Sequence, residues 1–323
     1  MKYIFKRIGQ AIITLFVVSV IVFAMFQIIP GDVVTNKLGT NASPERIEEL
    51  REYYGLDNPA YIQYKNWIDD IFWGELGISY SKDLPVAYMI NPNVKVTLCL
   101  ASLSLLIIVV FAVPIGLGMG YIASKKKRKD VLISNGFDII NQTFMAIPSF
   151  FIGIIISIVF GLILKWFTPG QYVAIEKNAV DFFLYIIPAA VSVAIPKIAM
   201  LVRFIKSSVE EEMAKDYVRT ARSKSASNIR ILFCHVLKNS MITSITALSV
   251  IMAEIFAGSV VVEQVFNLPG IGKALIGGIG ERDYPVVMAI VMYISAMIII
   301  VNLLADVIYS LVDPRAGGNH EKN

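Results

Sequence analysis

The residues best placed to do chemistry are four ionisable ones set in or beside apolar stretches: Lys197, Arg203, Glu254 and Asp306. A charge in hydrocarbon is costly, so such groups face protein or water, lining transport pathways or forming pairs. Lys197 and Glu254 are the best pathway candidates, and a buried structural pair accounts for them equally well. Asp306 lies within about two turns of a span end, where its side chain can snorkel towards water. Asp138 sits at a boundary and reads as ordinary.

Other chemistry is sparse. Cys99 and Cys234 lie far apart, with no CxxC and no histidine at metal-ligand spacing. They read as structural thiols, and no metal is expected. His235 and His320 complete no catalytic constellation, so an enzyme is not expected. Gly270-Ile-Gly272-Lys273 looks superficially like a phosphate loop but lacks the G-x-x-x-x-G-K-[ST] spacing. No cofactor is therefore expected in this chain, ATP included.

The elements that must position these residues are membrane helices. Of 323 residues, 56% are apolar and only 17% charged. A soluble domain is about 25% charged, which argues against a soluble enzyme, a disordered chain or a nucleic-acid binder. Six apolar segments are long enough to span a bilayer: Gln10–Ile29, Thr97–Ala123, Ile139–Leu164, Leu184–Ile205, Ser240–Val262 and Val286–Leu311. Backbone groups in hydrocarbon must be satisfied within the segment, so these are helices. Pro114, Pro148, Pro188 and Pro196 fall inside them, and such breakers mark kinks. Lys2, Lys6 and Arg7 precede the first span like the basic end of a signal peptide. Its twenty-residue length and the lack of an A-x-A site favour a retained helix.

Orientation follows from lysine and arginine in the loops. With the N-terminus inside, the inner segments hold 17 in 70 residues and the outer ones 10 in 109. Both termini are therefore expected in the cytoplasm, with Lys125–Lys129 as the strongest anchor. The expected organisation is a cytoplasmic N-terminus and first helix (1–29), an extracytoplasmic loop (30–96), a core (97–311) containing a polar cytoplasmic loop (206–239), and a cytoplasmic tail (312–323).

In the outer loop, Ser43 as cap, Pro44, Glu45 and then Ile47, Leu50 and Tyr54 predict a helix that stops at Gly55. A second amphipathic stretch carries Tyr61, Tyr64, Ile68, Ile71 and Phe72 with Trp67 and Trp73, and ends at Gly74. The loop either meets an external partner or caps the bundle. In the inner loop, Val209, Met213, Tyr217 and Ala221 draw one apolar stripe on a helix. Glu210–Glu212 stand early in it and Arg219, Arg222 and Lys224 late, as the helix dipole favours. Ser227 or Asn228 can cap the helix that follows. Pattern alone favours a helix lying on lipid over one projecting from the membrane.

Asp216-Tyr-Val-Arg-Thr-Ala-Arg-Ser-Lys224, Asn228-Ile-Arg-Ile-Leu232 and His235-Val-Leu-Lys-Asn239 together resemble the cytoplasmic EAA loop of ABC importer permeases. The likeness is to the first of two permease subunits of dipeptide, oligopeptide and nickel importers. It extends through Lys6-Arg7, Pro30-Gly31-Asp32, Leu50-Arg-Glu-Tyr-Tyr-Gly-Leu-Asp57 and Gly74-Glu-Leu-Gly-Ile-Ser-Tyr80. It continues through Glu263-Gln-Val-Phe-Asn-Leu-Pro-Gly-Ile-Gly272, Arg282-Asp-Tyr-Pro285 and Asp313-Pro-Arg315. Each motif is weak alone; their order across six spans is the signal.

The resemblance implies an all-α integral membrane protein with the type I importer permease fold of six transmembrane helices. It implies a coupling helix within Asp216–Arg230 that docks on a separate ATPase subunit. Tyr217, Val218 and Ala221 are then packing candidates, and Arg219, Arg222 and Lys224 polar contacts. Ser225 stands where the family usually has glycine; in a left-handed turn a serine costs about 1 kcal/mol. The implied partners are a second, non-identical permease, two ATP-binding cassette subunits, an extracytoplasmic binding protein and the bilayer, with no nucleic acid. Peptides are the expected cargo, with nickel or another metal chelate as the alternative. An autonomous secondary transporter or channel is the competing class; it requires an internal repeat and dense intramembrane charge, and neither is clear. Gly116-x-x-x-Gly120 suggests a helix-packing motif.

Overall fold

The computed structural model describes residues 2–28, 33–38, 43–125 and 127–312. Pro30-Gly31-Asp32, Lys126, Asp313-Pro-Arg315 and the tail 313–323 lie outside the described residues. In chain order the helices are α1 (Lys2–Ile28), α2 (Val33–Leu38), α3 (Pro44–Tyr53), α4 (Ala60–Trp73), α5 (Val86–Ser124), α6 (Arg128–Ala146), α7 (Ser149–Ile156), α8 (Ala179–Met213), α9 (Asp216–Ser223), α10 (Asn228–Ile231), α11 (Leu237–Val265), α12 (Ile271–Gly280) and α13 (Tyr284–Val312). Short π-helical stretches, Ser157–Ile163 and Leu232–Val236, continue α7 and lead into α11. Among the described residues there is no strand, only an isolated antiparallel bridge between Ile78 and Pro85.

Helices α1, α5, α8, α11 and α13 each contain a stretch long and apolar enough to cross a membrane. The expected third span is broken instead: α6 and the α7 stretch meet at an 89° bend, and only if the bent pair is taken as one span are there six. Pro148 explains the break. It has no N–H to donate and pushes the residue before it out of helical conformation. Ile147 is accordingly extended at φ −79°, ψ 123°. Pro188 and Pro196, by contrast, lie inside an uninterrupted α8. Side chains of neighbouring helices bond its backbone close to both: Ser104 Oγ donates to the Ala190 carbonyl at 3.3 Å and Asn141 Nδ2 to that of Ala199 at 2.8 Å.

The chain divides into two compact units, Met1–Thr97 with Pro269–Ile299, and Leu98–Leu268 with Ile300–Asn323. In the first unit both amphipathic stretches of the long loop are helices. Ser43 caps α3 by accepting from the Arg46 N–H, and α3 ends just before Gly55. Helix α4 buries Trp67 against Val22 and Met288, with Phe23, Tyr64 and Ile68 around it. Trp73, expected beside Trp67, is 86% exposed. Two motifs that lie about 200 residues apart in sequence meet at Asp283, whose carboxylate is 1% exposed. It accepts from the Ser79 hydroxyl, from the Tyr80 N–H at 3.0 Å and from the Ser81 hydroxyl at 2.8 Å.

In the second unit α8 is the centre, packed by α6, α7 and α11. It is the most buried of the apolar helices, with Ile186, Ala190, Val193, Val202, Ile205 and Val209 inside. The Gly116–Gly120 face of α5 lies directly on it. A Cβ added at Gly116 would come within 2.7 Å of Ile205 Cβ, and one at Gly120 within 2.6 Å of Val209 Cβ.

Candidate functional site

The polar loop between α8 and α11 is a run of short helices. Helix α8 continues past its apolar part to Met213, breaks at Ala214 and Lys215, and gives way to α9. The expected single stripe is therefore divided. Val209 and Met213 are buried on α8, whereas Tyr217 and Ala221 are half-buried on α9. The charge pattern is corrected with it. Glu210, Glu211 and Glu212 end α8, where the dipole disfavours acids. A salt bridge from Lys215 to Glu212 offsets this.

Helix α9 does follow the dipole, with Asp216 in its first turn and Arg222 in its last. Asp216, Arg219, Arg222, Lys224 and Ser225 are exposed. Val218 is fully buried within this chain, so its exposed neighbours are the ones left for a partner. Tyr217 donates its hydroxyl to Glu212 at 2.5 Å. Burial, and then this hydrogen bond, push its phenol up to about 12, so it stays a protonated donor near neutral pH. The Asp216–Arg219 pair is fully in water and contributes little to stability.

Helix α9 ends in a Schellman motif. The Ala226 N–H donates to the Ala221 carbonyl and the Ser225 N–H to that of Arg222, with Ser225 at φ +59°. The turn is therefore built as glycine would build it, with serine in the strained position. Ser225→Gly is expected to stabilise the loop by about 1 kcal/mol. Amide hydrogen exchange across 216–227 should slow in that variant; faster exchange would contradict the turn. After it Ser227, not Asn228, caps α10 by accepting from the Arg230 N–H at 3.3 Å. The π-helical stretch holding Cys234 and His235 then leads into α11.

The pathway candidates Lys197 and Glu254 face each other from α8 and α11 as an ion pair. Their side chains are 20% and 40% exposed, so the pair is neither sealed in the core nor free in water. Asp138, read as ordinary from sequence, pairs with the buried Lys206. Its partner lies on another helix, and no spacing pattern signals it. Arg203, Gln142 and Glu210 line the same cleft, a cavity of about 310 Å³.

Residues 112–318 match the family described as binding-protein-dependent transport system inner membrane component. Residues 1–101 match the N-terminal membrane component of such systems. The chain is 32% identical over 316 residues to the oligopeptide transport system permease protein AppB of Bacillus subtilis, covering 97% of this chain and 98% of that one. It is 33% identical over 314 residues to the glutathione transport system permease protein GsiC of Escherichia coli, with the same shares covered. To the dipeptide transport system permease protein DppB of Lactococcus lactis it is 29% identical over 315 residues, again covering 97% and 98%.

Proposed function

Because the chain belongs to the family of binding-protein-dependent transport system inner membrane components, we propose that it is one permease subunit of an ATP-binding-cassette importer for peptides. It forms half of the translocation pathway and is moved by separate ATPases. The observation in the structure that carries this reading is α9, a short helix held at the end of the most buried span with Arg219, Arg222 and Lys224 exposed. Such a helix offers an ATPase a basic, pre-ordered contact. The relatives named for oligopeptides, dipeptides and glutathione support peptides as the cargo class. The full assembly in this reading has a second, non-identical permease, two ATPases and an external binding protein. Lys197 and Glu254 face the pathway in it.

Both termini and α9 are cytoplasmic, and 30–96 is outside. The lysine and arginine bias of the loops supports this orientation. Single cysteines at Asn58 and Lys127, both exposed, test it in a background without Cys99 and Cys234. An impermeant thiol reagent added outside is expected to label position 58 and not 127. The reverse pattern would overturn the orientation. The importer reading is tested by the purified chain alone in liposomes: it should move no peptide, and autonomous uptake would favour a secondary transporter instead.

A further inference from the structure

Three consecutive acids close α8, and they are not equivalent. Glu210 and Glu211 are exposed, whereas Glu212 is 8% exposed. A carboxylate is not withdrawn from water without partners. Glu212 has them on both oxygens: Lys215 Nζ donates to Oε1, and the Tyr217 hydroxyl donates to Oε2 at 2.5 Å. The Asn239 side chain, near the start of α11, also lies beside Glu212 and, against burial, helps hold its carboxylate below the usual range. One carboxylate thus ties the end of α8 to the joint before α9, to the first turn of α9 and to the base of α11.

The joint needs such a tie. Only Ala214 and Lys215 separate the two helices. Their backbone torsions, left unrestrained, would let α9 swing without moving α8. Val218, fully buried, pins one face of α9, and Glu212 fixes its N-terminal end.

We propose that Glu212 is a positioning residue for coupling: its carboxylate locks α9 to α8 and α11, so that force applied to α9 displaces both spans together. This rests on the reading of α9 as the ATPase contact. Glu212 itself touches no partner and no cargo in this account; it acts through Lys215 and Tyr217.

Glu212→Gln keeps the shape but removes the charge that holds Lys215 and turns one oxygen into an NH₂ group, to which the Tyr217 hydroxyl can no longer donate. Tyr217→Phe keeps the ring and removes only the hydroxyl. In the complete complex reconstituted with its binding protein, the quantity to measure is peptide transported per ATP hydrolysed. Hydrogen bonds to a buried charge are strong enough for the ratio to fall about tenfold or more in Glu212→Gln. It should fall in the same direction in Tyr217→Phe, with ATPase subunits still co-purifying. A residue that merely aided folding would lower the amount of complex and leave the ratio unchanged. If Glu212→Gln lowers the amount of complex, the ratio in Tyr217→Phe decides, and an unchanged ratio overturns the proposal. A wild-type ratio in Glu212→Gln overturns it too. The α9 reading survives that result if Tyr217→Ala still loses its ATPases, and falls with the proposal if Tyr217→Ala keeps them.

Discussion

Gly120→Leu is expected to remove most of the folded protein from the membrane. A Cβ at this position would lie 2.6 Å from Val209 Cβ and 2.9 Å from the Lys206 carbonyl oxygen. These atoms sit close to the axis of α8 and cannot turn aside as the tip of a long side chain can. The helices must separate, and overpacking of this kind costs about 1–3 kcal/mol, sometimes more. Packing is also the main force that holds helices together in lipid, so little else compensates. Gly116 stands one turn away on the same face, where a Cβ would lie 2.7 Å from Ile205 Cβ. Gly118→Leu is the control, since no atom lies within 4 Å of a Cβ there. Size-exclusion profiles of detergent extracts should show a monodisperse peak for wild type and Gly118→Leu, and its loss for Gly120→Leu. An intact peak in Gly120→Leu would contradict the close α5–α8 contact.

Tyr217→Ala is expected to abolish uptake and release the ATPase subunits while leaving membrane insertion intact. The variant removes a half-buried ring and a hydrogen bond to a buried carboxylate, and all the spans are untouched. Truncating an aromatic anchor of this kind costs about 2 kcal/mol or more. Lys224→Ala removes an exposed charge, for which about 0–1 kcal/mol is expected. Co-purification of the ATPases with each variant gives the order. A helix lying on lipid demands the opposite: Lys224 matters, Tyr217 does not, and ATPase association never changes.

The spans were legible because twenty or more apolar residues have few other fates, and they fall where hydropathy puts them. Their ends were not. Helix α5 begins at Val86 rather than Thr97, because Asn91, Asn93 and Lys95 lower the hydropathy of helical residues that need no lipid. Hydropathy is also blind to direction: 139–164 reads as one segment, and only the backbone of Ile147 and Pro148 reveals an 89° turn. The inner loop was legible as helical but not as broken, since a period of four residues survives a two-residue joint. Partnerships were least legible. Asp283 with Ser79, Lys206 with Asp138 and Glu212 with Tyr217 each depend on which segments the fold brings together. The first two join residues far apart in the chain. The third spans only five residues, which would stand on different faces of an unbroken helix, so the pair exists only because of the break at Ala214 and Lys215.

The central claim is that α9 is where an ATPase grips this permease. A photo-crosslinking residue at Arg222, exposed in the last turn of α9, tests it most directly, with the same residue at Asn58 as control. In cells containing the whole importer, irradiation should join position 222 to an ATPase subunit and leave position 58 without that product. Crosslinking of position 222 to lipid alone, with no ATPase adduct, would contradict the account.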